Sequence, residues 1–306
     1  TINGSSGRVY PGQIPLKDVN LNKNPYYKKL MKMTDRQRKL GIRTNADSPA
    51  DALKARAFGA EGIGLCRTEH MFFDPERIAA MREMITSNDG HERRKAIMKL
   101  LPYQKNDFYG ILKAMAPYPV TIRLLDPPLH EFIPKEKDQR KKLAENLDIS
   151  IDELTARIES LHEMNPMLGH RGCRLGISFP EITEMQVQAI FEATTQLILE
   201  NVSPLPEVMV PLVGSVAEFI HQREIIDAQA LKIKESSGID FKYLVGTMIE
   251  LPRACIVADS IAKEAQFFSF GTNDLTQTAF GFSRDDIGSF LPDYLEGKIL
   301  PHDPFQ

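Results

Sequence analysis

Arginines and carboxylates stand at the ends of short apolar runs along this sequence. Arg67 ends one run, Arg123 lies near the end of the next, and Arg171 precedes a third. Glu250 follows a run that is apolar on both faces, and Asp274 stands where the last run turns into a helical pattern. Guanidinium groups bind phosphate and carboxylate oxygens, whereas carboxylates bind hard cations. The pattern therefore indicates a site for an anion and a divalent ion.

Glu250 and Asp274 follow neighbouring strands of a predicted parallel sheet. Such strands are about 4.8 Å apart, so two carboxylates at their tips can reach one ion. Magnesium needs one or two carboxylates besides waters and substrate oxygens; manganese is possible, and zinc is disfavoured. Asp274 could equally be only a helix N-cap, whereas Glu250 at a buried rim needs a partner for its charge. Gly271, Thr272 and Asn273 begin the same helix, where backbone N–H groups could face an anion.

Each arginine also has a structural interpretation. A single buried arginine is about as plausible in an ion pair as in a ligand site. Several arginines at one edge of a sheet, with Arg284 following the last predicted strand by a helical turn or more, favour anion binding.

The histidines and cysteines form no recognisable site. The histidines show no metal-ligand spacing or triad order, so none is predicted to be catalytic. The cysteines lack CxxC spacing, which argues against a disulfide framework and a zinc site, and each is predicted to pack in the core. These residues are His70, His91, His130, His162, His170, His221 and His302, and Cys66, Cys173 and Cys255.

The elements that must position the charged residues alternate between strand and helix. Short apolar runs alternate with segments of helical period, which indicates an α/β protein with a parallel sheet and helical crossovers. Residues 1 to about 25 are rich in Gly, Ser, Asn and Pro and are predicted to be turns and a linker. The seven predicted strands are 41–45, 62–66, 120–125, 173–178, 207–212, 243–249 and 267–270.

Several helix starts are marked by capping residues. Ser48 and Asp74 each precede a proline at the first helical position, where the missing N–H has no cost. Residues 134–166 carry a run of charges followed by an amphipathic stretch, and are predicted to be a solvated helical excursion without chemistry. Capping boxes are predicted for Ser150 with Glu153, Thr183 with Gln186, and Ser215 with Glu218.

The composition is that of a large globular protein. Of 306 residues, 42% are hydrophobic and 26% charged, which is enough apolar material for a large core. The formal charge of -3 offers no basic footprint for nucleic acid or an anionic membrane. No apolar run is long enough to span a membrane, and no signal-peptide pattern opens the sequence. We therefore predict no nucleic-acid or membrane partner, and a cytoplasmic or organellar location rather than secretion.

Nearly the whole chain resembles the phosphoenolpyruvate-binding barrel of the phosphoenolpyruvate-utilizing enzymes. The motifs GIGLCRTE at 62–69, NPMLGHR at 165–171 and GTNDLTQ at 271–277 are similar to those shared by that family. IRLLDPPLHEF at 122–132 resembles the pyruvate, phosphate dikinase branch rather than phosphoenolpyruvate synthase or Enzyme I of the sugar phosphotransferase system. The resemblance implies a (β/α)8 barrel of the TIM type over 26–306, preceded by the tail of a phosphohistidine domain and a linker over 1–25.

The resemblance also implies a reaction. ATP, pyruvate and phosphate are interconverted with AMP, phosphoenolpyruvate and diphosphate through a phosphohistidine on another domain, and the family is usually dimeric. The implied phosphate-binding residues are Arg67, Arg123 and Arg284; the implied Mg²⁺ ligands are Glu250 and Asp274; the implied substrate-binding residues also include Gly271, Thr272 and Asn273.

Two parts of the family's machinery are expected to lie outside this chain. The phosphorylatable histidine belongs to a GGxTSH motif expected upstream of Thr1, and the general-acid cysteine to a GxCGE motif expected beyond Gln306. We therefore expect a barrel with seven strands and open edges, inactive by itself in the overall reaction. The alternatives are a non-catalytic binding or assembly module that kept the rim, and an enzyme like phosphoenolpyruvate synthase.

Overall fold

The structure is a computed structural model that divides into two compact units, Thr1–Gly41 and Ile42–Gln306. His162 and part of the predicted linker lie outside the described residues, and the predicted domain boundary near residue 25 stays a prediction. The structure describes residues 1–4, 6–15, 24–87, 89–134, 136–147, 149–161, 163 and 165–306.

The first unit contains a small hairpin and one helix. Strands β1 (Ile2–Asn3) and β2 (Arg8–Val9) pair antiparallel. Helix α1 (Pro25–Gln37) begins at a proline, and the side chain of Asn24 caps it by accepting hydrogen bonds from two backbone N–H groups. This cap satisfies donors that a helix start leaves free.

The second unit is built on a parallel sheet whose strands are arranged in chain order. The predicted α/β class and parallel pairing are therefore confirmed. The six strands of this sheet are β3 (Thr44–Asn45), β4 (Ile63–Arg67), β5 (Pro119–Arg123), β6 (Leu205–Val210), β7 (Leu244–Ile249) and β8 (Phe268–Phe270).

Helices connect and cover these strands, as the crossovers of a parallel sheet require. They are α2 (Pro49–Ala57), α3 (Pro75–Thr86), α4 (Gly90–Ile97), α5 (Leu101–Met115), α6 (Lys137–Asn146), α7 (Ile151–Ser160), α8 (Gly172–Ser178), α9 (Pro180–Leu199), α10 (Val216–Ser237), α11 (Pro252–Ile256), α12 (Ala258–Ile261), α13 (Thr272–Phe280) and α14 (Leu291–Glu296).

Most of the predicted helix starts are confirmed. Ser48, Asp74 and Ser150 cap α2, α3 and α7, and Ser215 forms a complete capping box at α10. The predicted box at Thr183 is wrong, because α9 already begins at Pro180 and Thr183 is buried inside it. The charged segment after β5 forms α6 and α7, as predicted.

The predicted fourth strand at 173–178 is wrong, because this segment forms α8. Its buried residues follow a helical spacing: 172, 173, 175 and 176 face the interior. Strand β5 pairs directly with β6, with no strand between them. A short apolar run cannot be assigned to strand or helix by hydrophobicity alone, and the strand prediction failed for that reason.

The main hydrophobic core lies between the sheet and its helices. Strand residues such as Val120 and Val208 pack there with Phe191 and Phe219. Cys66 and Cys173 are buried as predicted, but Cys255 is exposed, so its predicted core packing is wrong. Cys255 lies on the five-residue helix α11, whose one buried residue is its neighbour Ala254. Within the part of the chain that the structure describes, we find no helix suited in length and hydropathy to span a bilayer.

Candidate functional site

Four strands bring the predicted site residues to one edge of the sheet. Arg67 and Arg123 are the last residues of β4 and β5 and lie directly opposite each other in the parallel register. Glu250 immediately follows β7. Gly271 follows β8 and caps α13, and Asp274 lies in the first turn of that helix. The carboxyl ends of parallel strands are the usual position of ligand sites in such sheets.

Arg123 is buried between two carboxylates. Its Nη2 lies 2.5 Å from Oε1 of Glu69, and its Nη1 lies 2.9 Å from Oδ2 of Asp126. Burial opposes a charged guanidinium, but the attraction of Asp126, Glu69 and Glu250 outweighs it and raises the pKa of Arg123. The side chain is therefore a fixed cation at the rim.

Arg171 links two carboxylates from different parts of the chain. Its Nη2 lies 2.6 Å from Oδ2 of Asp126 and 3.4 Å from Oδ2 of Asp274. Its Nε also donates to Oδ1 of Asp126 at 3.2 Å, so the contact with Asp126 is bidentate. A bidentate contact fixes the guanidinium plane as well as its position.

Glu250 is a buried carboxylate with one firm hydrogen bond. It is only 2% exposed, and its Oε1 accepts from the backbone N–H of Leu212 at 2.7 Å. Burial raises its pKa to about 7, and the negative charges of Asp126 and Asp274 add to this shift. The Leu212 hydrogen bond and Arg123 act in the opposite direction. Glu250 and Asp274 are thus close enough to interact electrostatically.

The backbone around Glu250 is held in an unusual conformation. Leu212 has a φ of +61°, in the left-handed region that non-glycine residues rarely adopt. Gly172 has a φ of +57°, and a Cβ there would lie 2.7 Å from Cβ of Leu212. A Cβ at Gly271 would lie 2.6 Å from both Cβ and Oε2 of Glu250. Glycine is required at both positions because neighbouring atoms lie too close for a side chain. The strained conformation of Leu212 directs its N–H toward Glu250.

The remaining predicted site residues lie at the margin. The backbone N–H of Arg67 donates to Asp47 at 2.6 Å, and its guanidinium has no acceptor within hydrogen-bonding distance among the described residues. Arg284 Nη1 donates to Oδ1 of Asn273 at 2.7 Å. Thr272, Asn273 and Arg284 are exposed. Asn273 Nδ2 approaches Asp274 at 3.4 Å and so connects Arg284 to the site.

Three residues in contact at this edge are missing from the set implied by the resemblance: Glu69, Asp126 and Arg171. Each lies inside a motif that carried the resemblance, since Glu69 ends the first motif and Asp126 follows Arg123 by three residues. The signal was therefore present. Only the folded structure, however, pairs these carboxylates with particular arginines.

The charges at this edge do not balance. Among the residues that contact one another or interact with Glu250, four carboxylates, if all are ionised, face two guanidinium groups, which leaves a formal excess of two negative charges within this set; Arg67, at the end of the neighbouring strand, lies outside it. One divalent cation would compensate this excess. We call this set the rim cluster; it comprises Glu69, Asp126, Glu250, Asp274, Arg123 and Arg171.

The chemistry of Glu250 and Asp274 suits a magnesium ion. No group of three or more His, Cys, Asp or Glu residues is arranged to hold a metal in the described ranges. Magnesium, however, binds through one or two carboxylates, with waters and substrate oxygens completing its shell. Two buried or half-buried carboxylates that repel each other are suitable ligands of this kind.

Comparison with known proteins identifies the family of the chain. Residues 22–296 match the family described as PEP-utilising enzyme, PEP-binding domain. The whole chain is 54% identical to pyruvate, phosphate dikinase of Rhizobium meliloti (strain 1021), of which it covers 34%. It is 53% identical to pyruvate, phosphate dikinase 1, chloroplastic, of Arabidopsis thaliana and 47% identical to pyruvate, phosphate dikinase of Clostridium symbiosum, covering 32% and 35% of them. The chain thus spans about a third of the length of these relatives, and it belongs to the family of PEP-utilising enzymes through their PEP-binding domain.

Proposed function

We propose that this chain is the part of a pyruvate, phosphate dikinase that binds phosphoenolpyruvate or pyruvate together with Mg²⁺. The parent enzyme would interconvert ATP, pyruvate and phosphate with AMP, phosphoenolpyruvate and diphosphate, using a phosphohistidine on another domain. The observation that carries this proposal is the rim cluster, in which excess negative charge lies beside arginines at the carboxyl edge of the sheet.

Two arginines offer donors for a phosphoryl group. Arg67 and Arg123 are adjacent in register. The guanidinium of Arg67 has no protein acceptor among the described residues, and Nε of Arg123 is buried without a partner there. A guanidinium fork matches the oxygens of a phosphate, and buried donors need acceptors. Arg67 and Arg123 would thus bind the phosphoryl oxygens and neutralise their charge as the group is transferred.

The carboxylates would hold the metal and orient the three-carbon acid. Glu250 and Asp274 are the residues that would bind Mg²⁺, which supplies Lewis-acid stabilisation of enolate charge when bound. Leu212 fixes the orientation of Glu250 through its N–H. The absence of a side chain at Gly271 lets backbone lie close to Glu250. Thr272 and Asn273 would contact the substrate from the start of α13, and Arg284 would support Asn273 and bind phosphate.

We extend the proposal to the surroundings of this chain. The six-stranded sheet would be part of a (β/α)8 barrel of the TIM type in a homodimeric parent. The phosphohistidine domain of that parent would be its partner. One relative is named chloroplastic and others are bacterial, which supports a cytoplasmic or organellar location.

Calorimetric titration tests the proposal directly. Oxalate, a mimic of the pyruvate enolate, should bind in the presence of Mg²⁺, and phosphoenolpyruvate should compete with it. Glu250→Ala and Asp274→Ala should each weaken oxalate binding by about 100-fold, because each removes a charged ligand group. Asp107→Ala is the control, since Asp107 is a carboxylate paired with Arg77 outside the rim cluster. Oxalate binding that survives both site substitutions at full strength refutes the proposed function.

A further inference from the structure

Arg171 shares one nitrogen between two carboxylates, and this sharing is unequal. Nη2 lies 2.6 Å from Asp126 but 3.4 Å from Asp274. The second contact with Asp126, through Nε at 3.2 Å, anchors the guanidinium there. Arg171 is therefore held by Asp126 and reaches toward Asp274 with a longer and weaker contact.

The turn that carries Arg171 cannot easily move away. The N–H of Gly172 donates to the carbonyl of Asp126 at 2.9 Å, and the N–H of Cys173 donates to the carbonyl of Pro211 at 3.1 Å. These backbone hydrogen bonds tie the start of α8 to the loops that follow β5 and β6. The guanidinium of Arg171 thus stays within reach of Asp274 in the absence of a ligand.

We propose that Arg171 is a positioning residue that competes with the divalent ion for Asp274 and thereby lowers the intrinsic metal affinity of the site. This inference rests on the proposed metal site at Glu250 and Asp274. Arg171 is 12% exposed at its side chain, so its charge is poorly screened by water. A metal that binds Asp274 must displace the Arg171 contact and also tolerate a nearby positive charge.

The competition has a useful consequence for the reaction cycle. With Asp274 bound to an ion, Nη2 of Arg171 would lose its ion-pair contact with that carboxylate and could offer an N–H to an anionic ligand. Ion and anion then favour each other, because each relieves a charge that the other leaves uncompensated. The unliganded site keeps its carboxylates partly neutralised by Arg171, which limits their mutual repulsion.

The test measures Mn²⁺ binding at pH 8 without substrate. The concentration of free Mn²⁺ is monitored by electron paramagnetic resonance. Arg171→Gln should bind Mn²⁺ at least about fivefold more tightly than the wild type, the lower end of typical couplings between sites. Arg171→Lys, which keeps the charge, should stay within about twofold of the wild type. A merely structural role for Arg171 predicts weaker Mn²⁺ binding in both variants, and that result overturns the inference.

Arg174→Gln is the matched control. Arg174 lies on the same helix, α8, and its Nη1 donates to the carbonyls of Leu168 and Gly169 rather than to the rim carboxylates. Its substitution should leave Mn²⁺ affinity unchanged. An equal gain in Mn²⁺ affinity in Arg174→Gln and Arg171→Gln would show that any loss of positive charge on α8 has this effect. That result would contradict a specific competition for Asp274.

Two further measurements keep the outcomes distinct. If Glu250→Gln and Asp274→Asn do not weaken Mn²⁺ binding, the proposed metal site itself is wrong; if they weaken it while Arg171→Gln gives no gain, only the present inference is wrong. Should Arg171→Gln fail to fold, the Nε resonance of Arg171 in the wild type decides. We expect it to shift on addition of Mg²⁺, and an unchanged resonance at saturating Mg²⁺ refutes the competition.

Discussion

Two groups of paired charges lie at different heights of the same sheet, each with buried carboxylates, and they differ in how completely they are paired. Toward the amino ends of the strands, Glu207 on β6 accepts from Nη2 and Nη1 of Arg43 at 3.1 and 2.5 Å. Its Oε2 also accepts from the hydroxyl of Thr121 at 2.6 Å. One carboxylate faces one guanidinium, and both carboxylate oxygens have partners.

At the carboxyl ends, the rim cluster combines excess carboxylates with unpaired atoms. Oε2 of Glu69 and Nε of Arg123 are buried without a hydrogen-bond partner among the described residues. Leu212 adopts a left-handed backbone conformation beside Glu250. Unpaired buried polar atoms and a strained backbone are destabilising, and proteins retain them mainly where ligand binding requires them. The balanced group is structural, and the unbalanced group has the properties of a binding site.

The largest expected difference between the two groups is in ligand affinity. Arg123→Gln should weaken phosphoenolpyruvate binding by about 100-fold, because it removes a buried cation from the proposed phosphate site. Arg43→Gln should leave the affinity within about twofold, since Arg43 contacts Glu207 and Thr121 instead. Calorimetric titration of both variants at equal Mg²⁺ measures the difference. Comparable losses in the two variants would erase the functional distinction between the groups.

The free energy of unfolding, unlike ligand affinity, should depend strongly on the balanced pair of Arg43 and Glu207. Arg43→Gln should lower the free energy of unfolding by about 3 kcal/mol, because it leaves the charge of buried Glu207 without a cation. The value is at the lower end of the usual range, since the Arg43 side chain is 41% exposed. Urea unfolding measures it. Adding Glu207→Gln to Arg43→Gln should recover part of the loss, and a double variant less stable than Arg43→Gln would contradict the pairing.

Glu250→Gln should stabilise the metal-free protein at pH 8. The pKa of Glu250 is raised to about 7, above its ordinary value of about 4.3. The folded state therefore holds this proton more tightly than the unfolded state, and the stability it contributes is full below about pH 4 and lost as the pH rises through about 7. Above pH 7 the wild type bears a penalty of up to about 3 kcal/mol, which a neutral amide avoids.

Thermal unfolding in EDTA at two pH values checks the sign. The melting temperature of Glu250→Gln should exceed that of the wild type at pH 8, with little difference at pH 4. Glu207→Gln provides the matched control at a buried carboxylate that already has an arginine partner, and it should lower the melting temperature at pH 8. A stabilising Glu207→Gln or a destabilising Glu250→Gln at pH 8 would reverse the proposed contrast.

The smallest expected difference between two variants concerns the backbone of the rim. Gly172→Ala should cost about 2–3 kcal/mol, because a Cβ there meets the left-handed conformation and also Cβ of Leu212 at 2.7 Å. Gly238→Ala should cost only about 1 kcal/mol, since Gly238 has a φ of +69° but no atom within 4 Å of its Cβ position. Urea unfolding of both variants isolates the crowding. Equal costs would show that the contact with Leu212 is easily relieved.

Much of the architecture was predictable because its signals are local. Alternating apolar and helical periods gave the α/β class, and capping residues such as Ser48 and Asp74 marked helix starts. The segment at 173–178 was misassigned because six residues, of which all but Arg174 are apolar or small, carry too little periodicity to separate strand from helix. Cys255 was misassigned because the exposure of a short helix depends on what packs against it.

The sequence by itself determined which charged residues follow the strands, so that parallel pairing alone brings Arg67, Arg123 and Glu250 to one edge. The tertiary structure decided how those charges pair. Glu69 and Arg123 are 54 residues apart, and Leu212 and Glu250 are 38 apart. Periodicity and capping act within a few residues, whereas the choice of which oxygen meets which nitrogen depends on packing between distant segments. The excess of negative charge at the rim therefore became visible only once the chain was folded.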